Sequence, residues 1–301
     1  MRVFVTGATG FIGSAVVQEL IGAGHEVIGL ARSDGAARAL EGAGAGVHRG
    51  DLEDLEGLGR GAAAADAVIH TGFIHDFTRF REVCEADRRA IEALGAALVG
   101  GDRPLLVCSG TGLLTRGALA TEDQVHAIGS DAFPRVMTEE AVDALVARGV
   151  RVGTVRLPQV HGEGDRGFVP MLIDIARARG VSAYVGDGAN RWPSAHRLDV
   201  ARLFRLALVS PFAAGARFHA VAEDGVRVRD IAGSIGRHLG IPVVTRSAEE
   251  APEHFGWFAN FAAMDGPASS ERTRRALGWE PVEIGLMEDL ERGHYFTSRG
   301  A

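Results

Sequence analysis

Three glycines spaced three residues apart, Gly7, Gly10 and Gly13, constrain this chain more than any other feature of its sequence. They follow an apolar segment, residues 2–6, and precede a segment with helical spacing of apolar side chains, residues 11–23. A turn without side chains at such a junction lets the amide groups at the helix start approach a pyrophosphate closely. The sequence therefore predicts a strand–turn–helix unit that binds a nucleotide.

Short apolar segments alternate with longer segments of helical spacing along the first half of the chain. We predict strands at residues 2–6, 26–30, 46–48, 67–70, 105–108 and 152–156, and helices at 11–23, 35–41, 55–60, 77–99 and 135–148. Regular alternation of this kind is typical of an α/β protein with a doubly wound parallel sheet.

Beyond about residue 160 the alternation becomes irregular. Helices are predicted at 169–179, 200–208 and 228–239, and strands at 217–221 and 242–245. We therefore predict a first domain over residues 1–160 and a smaller domain over 161–301, from which the chain crosses back to the first sheet at least once.

Charge and composition exclude several kinds of partner. All 32 basic residues are arginines, there is no lysine, and 39 acidic residues give a formal net charge of −7. We therefore expect neither nucleic acid nor an anionic membrane as a partner. No apolar run approaches the roughly 20 residues that span a bilayer, and we expect a cytoplasmic protein. Cys84 and Cys108 are expected to be reduced, buried thiols.

Several motifs together resemble the short-chain dehydrogenase/reductase superfamily, in particular its extended and atypical, NAD-dependent epimerase/dehydratase-like members. They are Thr-Gly-Ala-Thr-Gly-Phe-Ile-Gly at 6–13, Gly-Asp-Leu at 50–52, Ala-Val-Ile-His at 67–70, Val-Arg-Leu-Pro-Gln-Val-His-Gly at 155–162 and Leu-Gly-Trp-Glu-Pro at 277–281. The resemblance spans nearly the whole chain. It implies a Rossmann-type domain, a smaller C-terminal α/β substrate domain, and a homodimer formed by the helices at 77–99 and 135–148.

The same resemblance implies positions for a nicotinamide dinucleotide. The glycine turn, with Gly7, Thr9, Gly10, Phe11, Ile12 and Gly13, would hold the pyrophosphate. Asp51 and Leu52 would flank the adenine, although Asp51 also fits a helix N-cap. Thr71, Gly72 and Phe73 would line the ribose and pyrophosphate path, and Leu157, Gln159 and Val160 would border the nicotinamide.

The end of the second strand indicates which dinucleotide is bound. A carboxylate there selects NAD, whereas a cation pairs with the 2′-phosphate of NADP. Ala31 offers no carboxylate, while Arg32 and Ser33 can bind a phosphate, so we predict NADP(H). A solvated arginine is the alternative for Arg32, and the nearby Asp34 keeps NAD(H) open.

The Tyr-x-x-x-Lys pair that does the chemistry in this superfamily is missing. Tyr184 and Tyr295 lie far along the chain from the expected helix. In the family a glutamate commonly lies four residues after the lysine, and Glu139 would then place Arg135 at the lysine position and Asp131 at the tyrosine position. A frame shifted by two residues would leave the site inert, and Asp131 also fits a residue near a helix N-cap.

Arg135 can hold ribose hydroxyls but stays protonated at neutral pH. An ionised Asp131 beside it would suit an amine-bearing or imine substrate. His75 and His161 are further candidates for proton transfer because histidine titrates near neutrality. Ser109 or Thr111, after the fifth strand, could donate to the substrate oxygen. Structural roles remain open for each of these side chains.

Trp192, His196, Trp257 and Phe258 are candidate substrate-pocket residues in the C-terminal part. No metal-ligand spacing is present, so no metal is predicted. We therefore predict an NADPH-dependent oxidoreductase that reduces a small carbonyl or imine. The alternatives are a catalytically silent NADP-binding sensor and a nucleotide-sugar-type epimerase or dehydratase.

Overall fold

The computed structural model describes residues 1–114, 116–126 and 128–297. Seven parallel strands form its central sheet, in the order β10-β6-β5-β4-β1-β2-β3. These are β1 (Arg2–Thr6), β2 (Glu26–Ala31), β3 (Gly46–Arg49), β4 (Ala67–His70), β5 (Leu105–Gly110), β6 (Val152–Leu157) and β10 (Ala216–His219).

Helices cover both faces of this sheet. The helices up to β6 are α1 (Phe11–Gly22), α2 (Asp34–Gly42), α3 (Leu55–Ala63), α4 (Phe80–Ala96) and α5 (Met137–Ala147). Strand β1 shows why two layers form: Val3 and Val5 pack into the core that α1 lines, and Phe4 packs into the opposite core with α3, α4 and α5. A strand that is apolar on both sides must be covered twice.

The rest of the chain forms two small sheets with their own helices. One sheet contains β7 (Gln159–His161), β9 (Arg191–His196) and β11 (Glu223–Arg227), and the other contains β8 (Ser182–Val185) and β12 (Val243–Arg246). The helices are α6 (Phe168–Arg179), α7 (Arg197–Val209), α8 (Val228–Leu239), α9 (Ala251–Phe255), α10 (Ala259–Ala262), α11 (Glu271–Leu277) and α12 (Leu286–Glu291). Helix α7 packs on α1, and β10 returns to the central sheet as its edge strand beside β6.

The α/β architecture and the parallel doubly wound sheet are confirmed, while several predicted boundaries move. The helix predicted at 77–99 starts as a single 3-10 turn, Phe77–Arg79, capped by Asp76, and continues as α4. Strand β9 was not predicted because Pro193 and polar residues interrupt its apolar pattern. Its ladder with β11 shifts register opposite Pro193, which has no N–H to donate.

Within the described ranges, no helix is long and apolar enough to cross a membrane. Both cysteines are free.

The tightest backbone crossing of the fold is at the glycine turn. A methyl group at Gly13 would lie 2.1 Å from the carbonyl oxygen of Gly7, and one at Gly7 would lie 2.6 Å from the amide nitrogen of Gly72. These distances are shorter than any van der Waals contact, so the turn, α1 and the end of β4 are packed backbone against backbone.

We therefore expect Gly13→Ala to lower the free energy of unfolding by about 3 kcal/mol or more, because the backbone must shift to admit the methyl group. Gly22→Ala, in the same helix and with no heavy atom within 4 Å of the added methyl, is the matched control and should change stability by no more than about 1 kcal/mol. Urea denaturation measures both, and equal effects would contradict this packing.

Candidate functional site

The glycine turn presents open backbone at the start of α1. Gly7 has a φ of +66° and its carbonyl accepts from the amide of Gly10 at 2.8 Å. Thr9 and Gly10 are exposed, Phe11 and Ile12 are half-buried, and no side chain caps the helix. Uncapped amides at a helix start favour an anion. This arrangement fits the pyrophosphate of a dinucleotide at the place predicted from the sequence.

The end of β4 is joined to the turn by hydrogen bonds. Thr71 Oγ1 donates to the carbonyl of Thr6 at 2.8 Å, and the amide of Gly72 donates to Thr6 Oγ1 at 3.3 Å. Leu52 packs so closely on Gly72 that a methyl group there would lie 2.9 Å from Leu52 Cδ2. Asp51 Oδ1 accepts from two following amides and closes a turn before α3. The helix N-cap itself is a different residue, Asp54.

Residues after β2 present a cation to solvent. Arg32 is exposed and, within the part of the chain that the structure describes, has no ion-pair partner. Ser33 Oγ caps α2 by accepting from the amide of Ala36 at 3.2 Å. Asp34 is exposed and pairs with Arg49 at 2.6 Å.

A buried polar chain runs from β1 to α5. Thr6 Oγ1 is 2.7 Å from His70 Nδ1, and His70 Nε2 is 3.1 Å from Asp87 Oδ1. Asp87 Oδ2 accepts from Arg135 at 2.7 Å and from Thr138 at 2.6 Å. Because a carboxylate only accepts, the Nε2 of a neutral His70 carries the proton and Nδ1 accepts from Thr6.

Asp87 is the electrostatic centre of this chain of groups. Burial by itself would raise the pKa of Asp87, but the charge of Arg135 and the hydrogen bonds from His70 and Thr138 outweigh burial and lower that pKa. The carboxylate is therefore ionised and paired with a guanidinium on the neighbouring element.

Arg135 lies in the 3-10 turn that leads into α5, at the border between core and solvent. Its guanidinium carbon is 4.4 Å from the centre of the Phe73 ring, and Nη2 donates to the carbonyl of Cys108 at 3.3 Å. The side chain is 18% exposed. His75 meets the same Phe73 ring edge-on, with centroids 5.5 Å apart. Arg135, Phe73 and His75 thus meet beyond the ends of β4 and β5.

The surroundings of His75 favour its neutral form. The residue is exposed overall, yet protein atoms crowd its ring between Phe73 and Phe77. This desolvation lowers the pKa of His75 below its ordinary value, and the charge of Arg135 lowers it further, although a hydrogen bond with the Phe73 backbone opposes the shift.

The two hydroxyls after β5 differ in their partners. Ser109 is buried and donates to Glu139 Oε1 at 3.0 Å, while Glu139 forms a two-pronged pair with the fully buried Arg156 at 2.7 and 2.6 Å. Thr111 makes one long hydrogen bond, 3.4 Å, to the carbonyl of Leu157. Ser109 is thus committed to a buried ion pair, and Thr111 is the hydroxyl with spare capacity.

Two of the candidate catalytic residues lie elsewhere. Asp131 is in an exposed turn whose backbone carbonyl accepts from Arg81 at 3.0 Å, so nothing buries its carboxylate beside Arg135. His161 is fully buried, with Nδ1 2.9 Å from Asp289. The structure therefore places Asp131 on the surface and His161 in the core, and their roles in proton transfer stay predictions.

The substrate-pocket prediction divides in the same way. Trp192 and Phe258 pack in the hydrophobic core of the C-terminal part and are corrected from pocket lining to core. His196 caps α7 by accepting from the amide of Leu198 at 3.3 Å. Trp257, by contrast, is 56% exposed and stacks on Phe77, with centroids 5.1 Å apart.

The remaining predicted residues lie at the end of β6 and in β7. Leu157 and Gln159 are half-buried, and Val160 is 8% exposed. Sequence reasoning missed Asp87 because one aspartate within a charged helix carries no motif. Its helical spacing with Val83 and Ala90, both apolar and inward-facing, was the available signal. Among the described residues, no group of three or more His, Cys, Asp and Glu side chains converges on a metal position.

Several known proteins are similar to this chain over most of its length. A protein of Schizosaccharomyces pombe described as uncharacterized is 49% identical over 298 residues, which cover 98% of this chain and 100% of the relative. A 2-alkyl-3-oxoalkanoate reductase of Stenotrophomonas maltophilia is 30% identical over 72% of this chain and 67% of its own. The dTDP-glucose 4,6-dehydratase DesIV of Streptomyces venezuelae, solved with NAD bound, superposes with a TM-score of 0.77 at 21% identity, covering 98% of this chain and 96% of that one.

A family model also matches most of the chain. The NAD dependent epimerase/dehydratase family matches residues 3–219, which include the glycine turn, the buried chain from Thr6 to Arg135 and the whole central sheet. The chain belongs to the NAD dependent epimerase/dehydratase family.

Proposed function

We propose that this protein is an NADPH-dependent oxidoreductase that reduces a small organic carbonyl or imine. The observation that carries the proposal is the meeting of Arg135 and His75 around Phe73, next to the backbone that fits a dinucleotide. A permanent cation and a titratable imidazole are the two kinds of group that a carbonyl reduction requires from the protein. The reductase among the relatives supports the same reaction class.

Arg135 takes the part of the missing lysine in holding the nicotinamide ribose. Its guanidinium has five N–H groups; Nη1 donates to Asp87 and Thr138 and Nη2 donates to the Cys108 carbonyl, which leaves Nε–H and one N–H of Nη2 for a ribose. Asp87 fixes the orientation of Arg135. When bound there, a reduced nicotinamide supplies the hydride.

His75 delivers the proton to the substrate oxygen or nitrogen, and Thr111 orients that atom. His75 lies beside Arg135 and reaches solvent, so it can be reprotonated after each turnover. The Thr111 hydroxyl donates only weakly, to the Leu157 carbonyl at 3.4 Å, and exchanges this hydrogen bond for one to the substrate. The carboxylate of Asp131 is exposed at the surface, so we do not assign it the delivery of this proton.

NADPH is the proposed reductant because Arg32 is exposed and has no ion-pair partner among the described residues, while Asp34 is held by Arg49. A 2′-phosphate would meet the guanidinium of Arg32 and the hydroxyl of Ser33. The homodimer through α4 and α5 stays a prediction.

The proposal is tested by mixing the protein with NADPH and a panel of aldehydes, ketones and imines and following absorbance at the nicotinamide band. Consumption of NADPH with at least one compound is expected. Binding of NADPH without any turnover would favour the silent sensor. Interconversion of a nucleotide sugar without net oxidation would favour the epimerase.

Arg135→Met should lower kcat/KM about 100-fold, because the ribose loses its donor and the nicotinamide loses its orientation. Arg88→Met, which removes a half-buried arginine paired with Glu85 and Glu92 on α4, is the matched control and should leave kcat/KM within about twofold. Steady-state kinetics of both variants decide the point. Equal kinetics in the two variants would remove Arg135 from the site.

The reduction should become slower with rising pH, because the protonated form of His75 is the acid. With a pKa below the ordinary value of about 6.5, kcat/KM should fall tenfold per pH unit above that pKa and level off below it. His75→Gln should have a lower kcat/KM that no longer falls with pH in this way. Measurement of kcat/KM between about pH 5 and 8 checks the direction of this pH dependence. The same fall in the variant would exclude His75 as the acid.

Arg32→Ala should raise the Kd of NADPH at least about tenfold while changing the Kd of NADH by less than about threefold. Arg49→Ala, nearby but already paired with Asp34, serves as the control. Titration calorimetry measures the Kd of each nucleotide for the unaltered protein and for both variants. An NADH preference in the unaltered protein would overturn the choice of NADPH while leaving the reaction class untouched.

A further inference from the structure

Arg197 is an arginine from the C-terminal part of the chain that lies over the nucleotide side of the first sheet. It is the first residue of α7, and its guanidinium carbon is 5.4 Å from the centre of the Phe11 ring. Phe11 is the first residue of α1, directly after the glycine turn. The two side chains are both half-buried, so Arg197 is accessible at the place where α1 begins.

Helices α1 and α7 run side by side in the same direction. Arg197 meets Phe11 at their starts, and eight residues further along each helix Arg205 Nε is 2.6 Å from Glu19 Oε1. Because the two contacts are eight residues apart on both helices and in the same order, the helix axes are parallel. The positive ends of two helix dipoles therefore lie next to each other, together with one guanidinium.

The charge pairing along α7 singles out its first arginine. Arg202 pairs with Asp199 at 3.1 Å and also with Glu283, and Arg205 pairs with Glu19. Arg197, in the ranges described, has no carboxylate within 4.0 Å, and its Nη1 donates to the backbone carbonyl of Glu163 at 3.0 Å. A cation at a helix N-terminus is opposed by the dipole, so this position is unfavourable unless an anion binds there.

The loop after β7 supports the stem of Arg197 from below. Gly162 has a φ of +133°, and a methyl group there would lie 3.3 Å from Arg197 Cγ and 2.9 Å from His196 Nε2. The backbone therefore packs directly against the side chain, which limits the directions in which it can point. Together with the Glu163 carbonyl, this contact holds the guanidinium near the start of α1.

We propose that Arg197 binds the diphosphate of the dinucleotide from the side opposite the glycine turn. Its guanidinium donates to phosphate oxygens while the amides at the start of α1 bind the same group. The C-terminal part then takes part in nucleotide binding as well as in substrate binding. The assignment rests on the dinucleotide site of the proposed function and is independent of which compound is reduced.

The test compares nucleotide affinity in four full-length variants: Arg197→Leu, Arg197→Gln, Arg197→Lys and the control Arg205→Leu. ADP-ribose, which carries the diphosphate without the nicotinamide, and NADPH are titrated calorimetrically, and thermal unfolding is recorded without ligand. Arg197→Leu and Arg197→Gln should raise the Kd of both ligands at least about tenfold, and Arg197→Lys no more than about threefold. Arg205→Leu removes a pair with Glu19 on the same helix and should leave both Kd values within about twofold.

Two results would overturn the assignment: affinity within twofold of the unaltered protein in Arg197→Gln, or equal losses in the Arg197 and Arg205 variants. Should Arg197→Leu fail to fold, the Gln and Lys variants carry the same comparison. If the unaltered protein binds neither ligand, both this assignment and the proposed cofactor are wrong. If it binds both ligands but turns over no carbonyl or imine, only the proposed reaction is wrong.

Discussion

Asp87 is a carboxylate inside the protein, and the arrangement of the site depends on how its charge is satisfied. An unpaired buried charge would cost several kcal/mol, so the fold must bring donors to it. His70 approaches from β4, Arg135 from the turn before α5 and Thr138 from α5 itself. Satisfying Asp87 therefore fixes the position of Arg135 relative to the glycine turn, with Thr6 as the link between them.

If Arg135 holds the ribose as proposed, this dependence is what lets an arginine do so in a chain without lysine. Lysine is a compact charge on a flexible stem, whereas arginine has a planar fork that can bind a carboxylate and still present other donors. Arg135 uses part of that fork on Asp87 and on the Cys108 carbonyl. The anchored guanidinium then needs no freedom of its own to meet a ribose.

The sequence was most informative where local rules decide the structure. The glycine turn and the alternating strands depend on neighbours a few residues away, and the fold followed from them. The roles of Asp131, His161, Trp192 and Phe258 depended on packing between distant segments. His161, for instance, meets Asp289, a partner 128 residues away that no spacing rule predicts. Asp87 and Arg197 were missed for the same reason.

The three tryptophans are distributed unevenly between core and surface. Trp192 and Trp279 are almost fully buried, while Trp257 is exposed and stacked on Phe77, which begins the 3-10 turn just before α4. Because indole emission shifts to longer wavelength in polar surroundings, the emission of Trp257 can be distinguished from that of the two buried tryptophans. The protein thus carries its own optical reporter beside Phe77, and the red-shifted part of the tryptophan emission follows the segment after β4 without any added label.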